Sequence, residues 1–346
     1  MKGKVMKSVP VQDAIGMVLC HDVTQIIPGK FKGRAFKKGH IIRPEDISTL
    51  LDIGKEHVYV WEIQEGFLHE DDAAIRIATA SAGQGIVLSE PREGKVELSA
   101  SSRGLLKVNS DALYQINEVD QMICATLHTN QTVVEGRVVA GTRIIPLVIE
   151  ENKILQVEKI CKTYYPLVAV QSFKHYRVGI ITTGSEVYHE RIKDTFTPVL
   201  HNKFNELGST VAQQRIVPDS TELIAQAIAE FIGEGVELIA VTGGMSVDPD
   251  DVTPAGIKAA GGRIITYGAP ALPGAMFLLA YIGSIPVLGL PGCVMYHKTT
   301  IFDLIVPRIL AGEVIAREDI IKLGHGGLCA NCEECRYPYC SFGKCS

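Results

Sequence analysis

Two segments in the second half of the chain combine glycine, hydroxyl and acidic side chains directly after apolar runs. Ile181 to Val187 reads ITTGSEV, and Val241 to Pro254 reads VTGGMSVDPDDVTP. Gly184, Gly243 and Gly244 let the backbone approach a ligand closely, while Thr183, Ser185, Thr242 and Ser246 supply hydroxyls. Free amides in such loops form a nest for an anion, and a helix opening at Thr253 and Pro254 adds a positive dipole end. Glu186 and Met245 belong to the same two runs. Either loop alone is equally explained as a tight turn between a strand and a helix. Two of them on one sheet edge argue for a ligand.

The second loop also carries Asp248, Asp250 and Asp251. Carboxylates beside an anion nest repel the anion unless a cation sits between them, which is the logic of a Mg²⁺-assisted phosphate site. The alternative is that they are charges favoured by a helix start. A third segment, ALPGAMFLLAYIGSIPVLGLPGCVMYH, places Pro-Gly turns at Pro273-Gly274 and Pro291-Gly292 around a strand pair, with Cys293 following the second.

Cysteine supplies another pattern. Five of the nine cysteines fall in the last stretch, Cys329, Cys332, Cys335, Cys340 and Cys345, with spacing C-x2-C-x2-C-x4-C-x4-C. The first gaps match iron–sulfur ligand runs, and four thiolates suit either a cluster or Zn²⁺. The alternative is a disordered or disulfide-forming tail, because so short a segment cannot bury a core of its own. Cys20, Cys124 and Cys161 sit in apolar runs that read as strands and are expected in the core.

The elements that position these residues follow from periodicity. From residue 177 strands alternate with helices: VGIITTG, then a helix ending at Gly208, VAQQRIV, then a helix whose capping box is Asp219 and Glu222, then ELIAVTGG, IITYG and a last helix ending near Gly312. This βαβ alternation predicts an α/β domain over 176–313 with a mostly parallel sheet flanked by helices. Residues 1–65 read as a small β-rich module with a short helix after Pro44, and 66–175 as a mixed α+β region with helices near 70–80 and 110–118. Residues 325–346 form the cysteine-rich tail.

The chain has 346 residues, 46% hydrophobic and 21% charged, with a formal net charge of -5 and no long basic run. Nucleic acid is therefore not expected as a partner. The most apolar stretch is broken by Gly and Pro and is too short to span a bilayer, and the N-terminus lacks a secretory pattern, so a cytoplasmic location without membrane contact is expected.

Taken in order, TTG at 182–184, TGG-x-S at 242–246 followed by Asp251, PG at 273–274 and GLPG at 289–292 resemble the molybdopterin molybdenumtransferases and their relatives, the molybdopterin adenylyltransferases. AIGMVLCHDV at 14–23 resembles the opening strand of the transferases. The resemblance implies a molybdopterin-binding domain that holds the pterin or its adenylated form on the glycine loops, with Asp251 and Asp194 as the acidic residues. It also implies Mg²⁺, molybdate or tungstate as substrate, and a homodimer. The chain departs from the transferases in four ways. It lacks a Met-Asp-Gly-Tyr-like run, its Pro273-Gly274 turn has no lysine, Cys293-Val294 stands where they have Asn-Pro, and their C-terminal β-barrel is missing. The functions implied are molybdate insertion with AMP release, or a non-catalytic carrier or sensor that docks on a molybdoenzyme or another cofactor-assembly protein, or adenylyl transfer suggested by the DVTP run.

Overall fold

The structure is a computed structural model that describes residues 2–27 and 31–344. The chain packs as two compact units, one made mainly of residues up to 170 and the other mainly of 171 onward.

The first unit has two cores. Val11, Leu19, Ile42, Leu50 and Val58 close the core of the opening module. There the strand Lys2–Pro10 pairs antiparallel with His57–Glu65, and Val23–Ile27 pairs with Phe31–Phe36. Residues 15–26 were expected as one long strand. Only Val23–Ile27 is one, because Val18 and Leu19 make single bridges to Ile41 and Val60 instead. The second core packs the helices Glu70–Ser81, Ser110–Glu118 and Glu151–Thr163 on a four-stranded sheet that includes Lys95–Ala100 and Val138–Ile144. The last of these helices was missed in the sequence, although Ile154, Val157 and Cys161 bury one face at helical spacing. Cys161 is thus a helix residue, not a strand residue. It is buried, as are Cys20 and Cys124. Arg76 joins two of the helices, forking onto Glu158 at 2.7 and 2.8 Å and onto Glu151 at 2.7 Å.

The second unit is built on a six-stranded sheet. Its order is Thr210–Val217, Arg177–Thr183, Leu238–Thr242, Ile285–Leu290, Leu278–Ile282 and Arg263–Tyr267. The first four strands are parallel, and Leu278–Ile282 is antiparallel to both of its neighbours. Alternate residues feed opposite faces. Val178, Ile180, Leu238, Ala240 and Leu288 pack with the helices Phe196–Glu206 and Ile301–Leu310, where Phe204 meets Phe302 edge to face at 5.1 Å. Ile181, Ile239, Val241 and Val287 pack with the helices Thr221–Gly233 and Thr253–Ala259. The expected α/β layering with a mostly parallel sheet is what forms.

Three local expectations need correction. The Thr221–Gly233 helix is capped by Ser220, whose hydroxyl accepts from the Leu223 amide at 3.3 Å, and not by an Asp219–Glu222 box. Asp219 turns away to accept from the Ser185 amide at 2.8 Å. Thr253 is the first residue of its helix, not the cap, because its hydroxyl donates to the Gly243 carbonyl at 2.9 Å. The tail was expected to need metal or a disulfide to be ordered. It is instead laid on the core of the second unit, with Phe342 buried and the Tyr337 hydroxyl donating to the Asp303 carbonyl at 2.8 Å. No helix among the described residues is long and apolar enough to cross a membrane.

The first unit gives a stability prediction. Glu70 is only 6% exposed, and Gly94 packs so closely that a Cβ there would lie 2.3 Å from Glu70 Oε2. Burial, with the charge of Asp71 beside it, pushes the Glu70 carboxyl from 4.5 up to about 7. Between those values the folded chain keeps a proton that the unfolded chain releases. Stability from this group is therefore full below the lower value and lost as pH rises through the upper one. Glu70→Gln should flatten that decline, by on the order of 2 kcal/mol across the interval. Urea midpoints of both proteins measured against pH check it, and parallel curves would contradict it.

Candidate functional site

Register decides where the loops go. Thr182 pairs with Thr242, and Thr242 pairs with Leu290, in consecutive parallel strands. The segments after residues 183, 242 and 290 therefore leave the same, carboxyl edge of the sheet, where open α/β sheets bind ligands. The strand Leu278–Ile282 runs the other way and pairs Leu278 with Gly289, so the Pro273-Gly274 turn before it reaches this edge too.

The two glycine loops interlock. Gly243 has φ +86°, and a Cβ on it would lie 2.2 Å from the Thr183 carbonyl oxygen. Gly244 has φ +54°, and its Cβ would meet Thr253 Oγ1 at 2.8 Å. Only glycine fits both the conformation and the space. Thr183 and Thr253 hydroxyls stand 3.3 Å apart and tie the first loop to the second. Tyr267, at the end of its own strand, donates to the carbonyls of Met245 and Ser246 at 3.1 and 3.2 Å. With these carbonyls held, the amides of Gly244, Met245 and Ser246 donate to no acceptor among the described residues. Thr242 Oγ1 is buried at the same edge without a hydrogen-bond partner. Buried polar groups of this kind are ordinarily satisfied, so orphaned donors at a sheet edge are the signature of a missing anionic partner.

The acidic residues divide. Asp194 accepts from the amides of Phe196 and Thr197 at 2.9 and 3.1 Å, and from the hydroxyls of Thr197 and Thr182 at 2.5 and 3.1 Å. Gln214 Nε2 adds a contact at 3.3 Å. A carboxylate has about four lone-pair directions, so Asp194 is fully engaged in starting the Phe196–Glu206 helix and fixing Thr182. Asp251 is half-buried and uses one oxygen, Oδ2, to accept from the Asp248 amide at 3.1 Å. Asp248 and Asp250 are exposed in the same loop. Among the described residues no group of three or more His, Cys, Asp and Glu side chains stands together so as to hold a metal ion.

The remaining predicted residues frame this edge. Ser185 and Glu186 begin the one-turn helix Ser185–Tyr188. Gly274 packs against the start of the Ile301–Leu310 helix, where a Cβ would lie 2.5 Å from Ile301 Cβ. Pro291 is buried, Gly292 is exposed, and Cys293 opens the short helix Cys293–Tyr296. Burial pushes the Cys293 thiol up, so it is a neutral group and not a ready nucleophile. Cys329, Cys332, Cys335 and Cys340 lie apart from these loops, along a separate cavity, and Cys345 lies outside the described residues.

Sequence reasoning missed Tyr267 and Gln214, because neither residue type nor spacing marks a side chain that reaches its loop from a neighbouring strand. It also missed a charged cleft of about 520 Å³ in the first unit, lined by Arg34, Lys38, Glu70, Asp71 and Arg92 among others. The HEDD run at 69–72 was its available signal.

Comparison with known proteins agrees with this geometry. Residues 179–311 match the family model described as "Probable molybdopterin binding domain", and residues 8–62 match a domain of unknown function. A CinA-like protein of Acidobacterium capsulatum is 36% identical over 90 residues, 26% of this chain and 22% of that protein. A molybdopterin molybdenumtransferase of Synechococcus elongatus is 31% identical over 111 residues, 30% of this chain and 28% of that protein. The chain thus spans less than a third of the length of these curated relatives. The molybdopterin biosynthesis enzyme MoaB of Thermus thermophilus superposes with a TM-score of 0.33 at 20% identity, covering 40% of this chain and 98% of its own. The interlocked glycine loops, the register that sets them side by side and the matching family model together identify residues 179–311 as a domain of the molybdopterin-binding family.

Proposed function

We propose that this domain holds molybdopterin, or its adenylated form, by its phosphates on the amides of Gly244, Met245 and Ser246, beside the 183–186 and 291–293 turns. The observation that carries the reading is the row of unengaged amides at the carboxyl edge, held in place by the Thr183–Gly243–Thr253 interlock. The reaction we assign is insertion of molybdate or tungstate into the adenylated pterin with release of AMP, as part of molybdenum cofactor assembly.

The chain's own residues divide the work. The amides bind and orient the phosphates without a basic side chain. Asp194 is a positioning residue that fixes Thr182 and the helix behind the first loop. Asp251, with Asp250, supplies the one or two carboxylates that Mg²⁺ takes alongside phosphate oxygens and water, a donor set that needs no three-ligand protein cage. Mg²⁺ bound there would offset the charge on the scissile phosphate. A homodimer, in which a second copy completes the site, belongs to the same proposal and is tested by the mass of the protein in solution.

A second reading is a non-catalytic carrier or sensor of the cofactor that delivers it to a molybdoenzyme or another assembly protein. The lysine-free Leu272-Pro273-Gly274 turn and the hydrophobic Cys293-Val294 pair favour it. Adenylyl transfer rests on the DVTP run alone.

AMP release from adenylated molybdopterin plus molybdate separates these readings. Turnover is expected from the wild-type chain, and tight pterin binding without turnover would transfer the assignment to the carrier. Asp251→Asn keeps the shape of the side chain, so pterin binding should stay within about threefold while turnover falls by on the order of a hundredfold or more, as for an interaction made in the transition state. Equal turnover in variant and wild type would reduce Asp251 to a helix-start charge. Asp194→Asn replaces an acceptor with a donor facing four donor groups. It should lower unfolding stability by about 1–3 kcal/mol, read from a urea denaturation midpoint, and an unchanged midpoint would remove its positioning role.

A further inference from the structure

The tail cysteines are not used by the site just described, yet they are not scattered. Cys329, Cys332, Cys335 and Cys340 all line one cavity of about 220 Å³, whose opposite wall is the Tyr296–Thr299 segment of the same unit. The frame of this cavity is fixed by contacts that do not involve sulfur. The Cys329 amide donates to the Leu272 carbonyl at 2.8 Å, and the Leu272 amide donates to the Gly327 carbonyl at 2.7 Å. The Gly343 amide donates to the Gly326 carbonyl at 2.9 Å, closing the tail into a loop. Tyr337 is anchored on the Asp303 carbonyl, and Phe342 is buried in the core beneath. Four free thiols therefore face one space held open by the fold.

The size of that space discriminates between ligands. A single Zn²⁺ with four thiolates draws its sulfurs to about 2.3 Å from the metal, and so to within about 4 Å of one another. No three donors among the described residues stand together in that way. A cavity of this volume is instead several times the ~30 Å³ share of one water molecule, and is roomy enough for a polynuclear centre between the thiols. The spacing C-x2-C-x2-C is that of iron–sulfur ligand runs.

The surroundings suit the charge of such a centre. Four thiolates around an iron–sulfur core leave a net negative charge, and His297, Lys298 and Arg336 line the same cavity, against one carboxylate, Glu333. Thr299 Oγ1 lies 3.3 Å from Cys335 Sγ and can donate to that sulfur, the kind of outer hydrogen bond that orients and tunes a metal ligand.

We propose that Cys329, Cys332, Cys335 and Cys340 hold an iron–sulfur cluster in the cavity between the tail and residues 296–299. The inference stands independently of the pterin reading. It does have a consequence for that site, because residues 296–299 continue directly from the Pro291–Cys293 turn. The cluster clasps the far end of the segment whose near end lies at the sheet edge.

The test uses the full chain, purified anaerobically and then reconstituted with ferrous iron and sulfide. About four iron and four acid-labile sulfide per chain are expected for a four-cysteine cluster, with broad visible absorption that bleaches on reduction by dithionite. Cys332 and Cys335 are exposed, so Cys332→Ser and Cys335→Ser should fold, and each should lose more than about half of the iron. Cys161→Ala, at a buried cysteine far along the chain in the first unit, should keep it. One zinc per chain without sulfide would overturn the cluster. So would a reconstituted protein free of iron, full iron in both serine variants, or equal iron loss in Cys161→Ala.

Discussion

The close approach of Gly243 to the Thr183 carbonyl is the contact on which the rest of the second unit depends. Two loops after neighbouring parallel strands cross there with no room for a Cβ, and the Thr253 hydroxyl closes the gap from behind. Because the loop carbonyls are spoken for by Thr253 and Tyr267, the amides beyond Gly243 face outward. The anion site is thus a by-product of backbone packing and needs no cationic side chain. That fits a chain with a net charge of -5 and a Pro-Gly turn without lysine.

The same economy explains the two acidic positions. Asp194 and Asp251 look alike in the sequence, each a lone carboxylate beside a helix start. Asp194 is surrounded by donors on both oxygens and holds structure together. Asp251 takes one donor, from its own loop, and keeps its other oxygen for a ligand. Only the three-dimensional count of donors separates a positioning carboxylate from one that can meet a cation. Cys293 and the tail thiols differ in a similar way. Cys293 is a single half-buried thiol raised by burial, while the tail places four around one space.

The βαβ order of the second unit was legible because each strand is a short apolar run bounded by glycine, and each helix has a clear apolar face. Gly184, Gly243, Gly244 and Gly292 could be placed at the right edge from that order alone. What the sequence hid was cross-element hydrogen bonding. Ser220 replaces Asp219 as a cap because Asp219 is claimed by the Ser185 amide from a neighbouring loop. Cys161 was misread because a helix followed three strands in an apolar stretch, and its period was carried by only three residues. The tail was judged too short to order itself, which holds in isolation. It is ordered by a core it borrows, through Phe342 and Tyr337.

Amide hydrogen exchange of the full chain, with and without molybdopterin, tests the central claim most directly, because it locates the ligand without assuming a reaction. The account predicts that bound pterin slows exchange at residues 243–246 first, where donors lack acceptors, and also at 183–186 and 291–293. Protection confined to the charged cleft of the first unit, or exchange at Gly244, Met245 and Ser246 unchanged at saturating pterin, would contradict it.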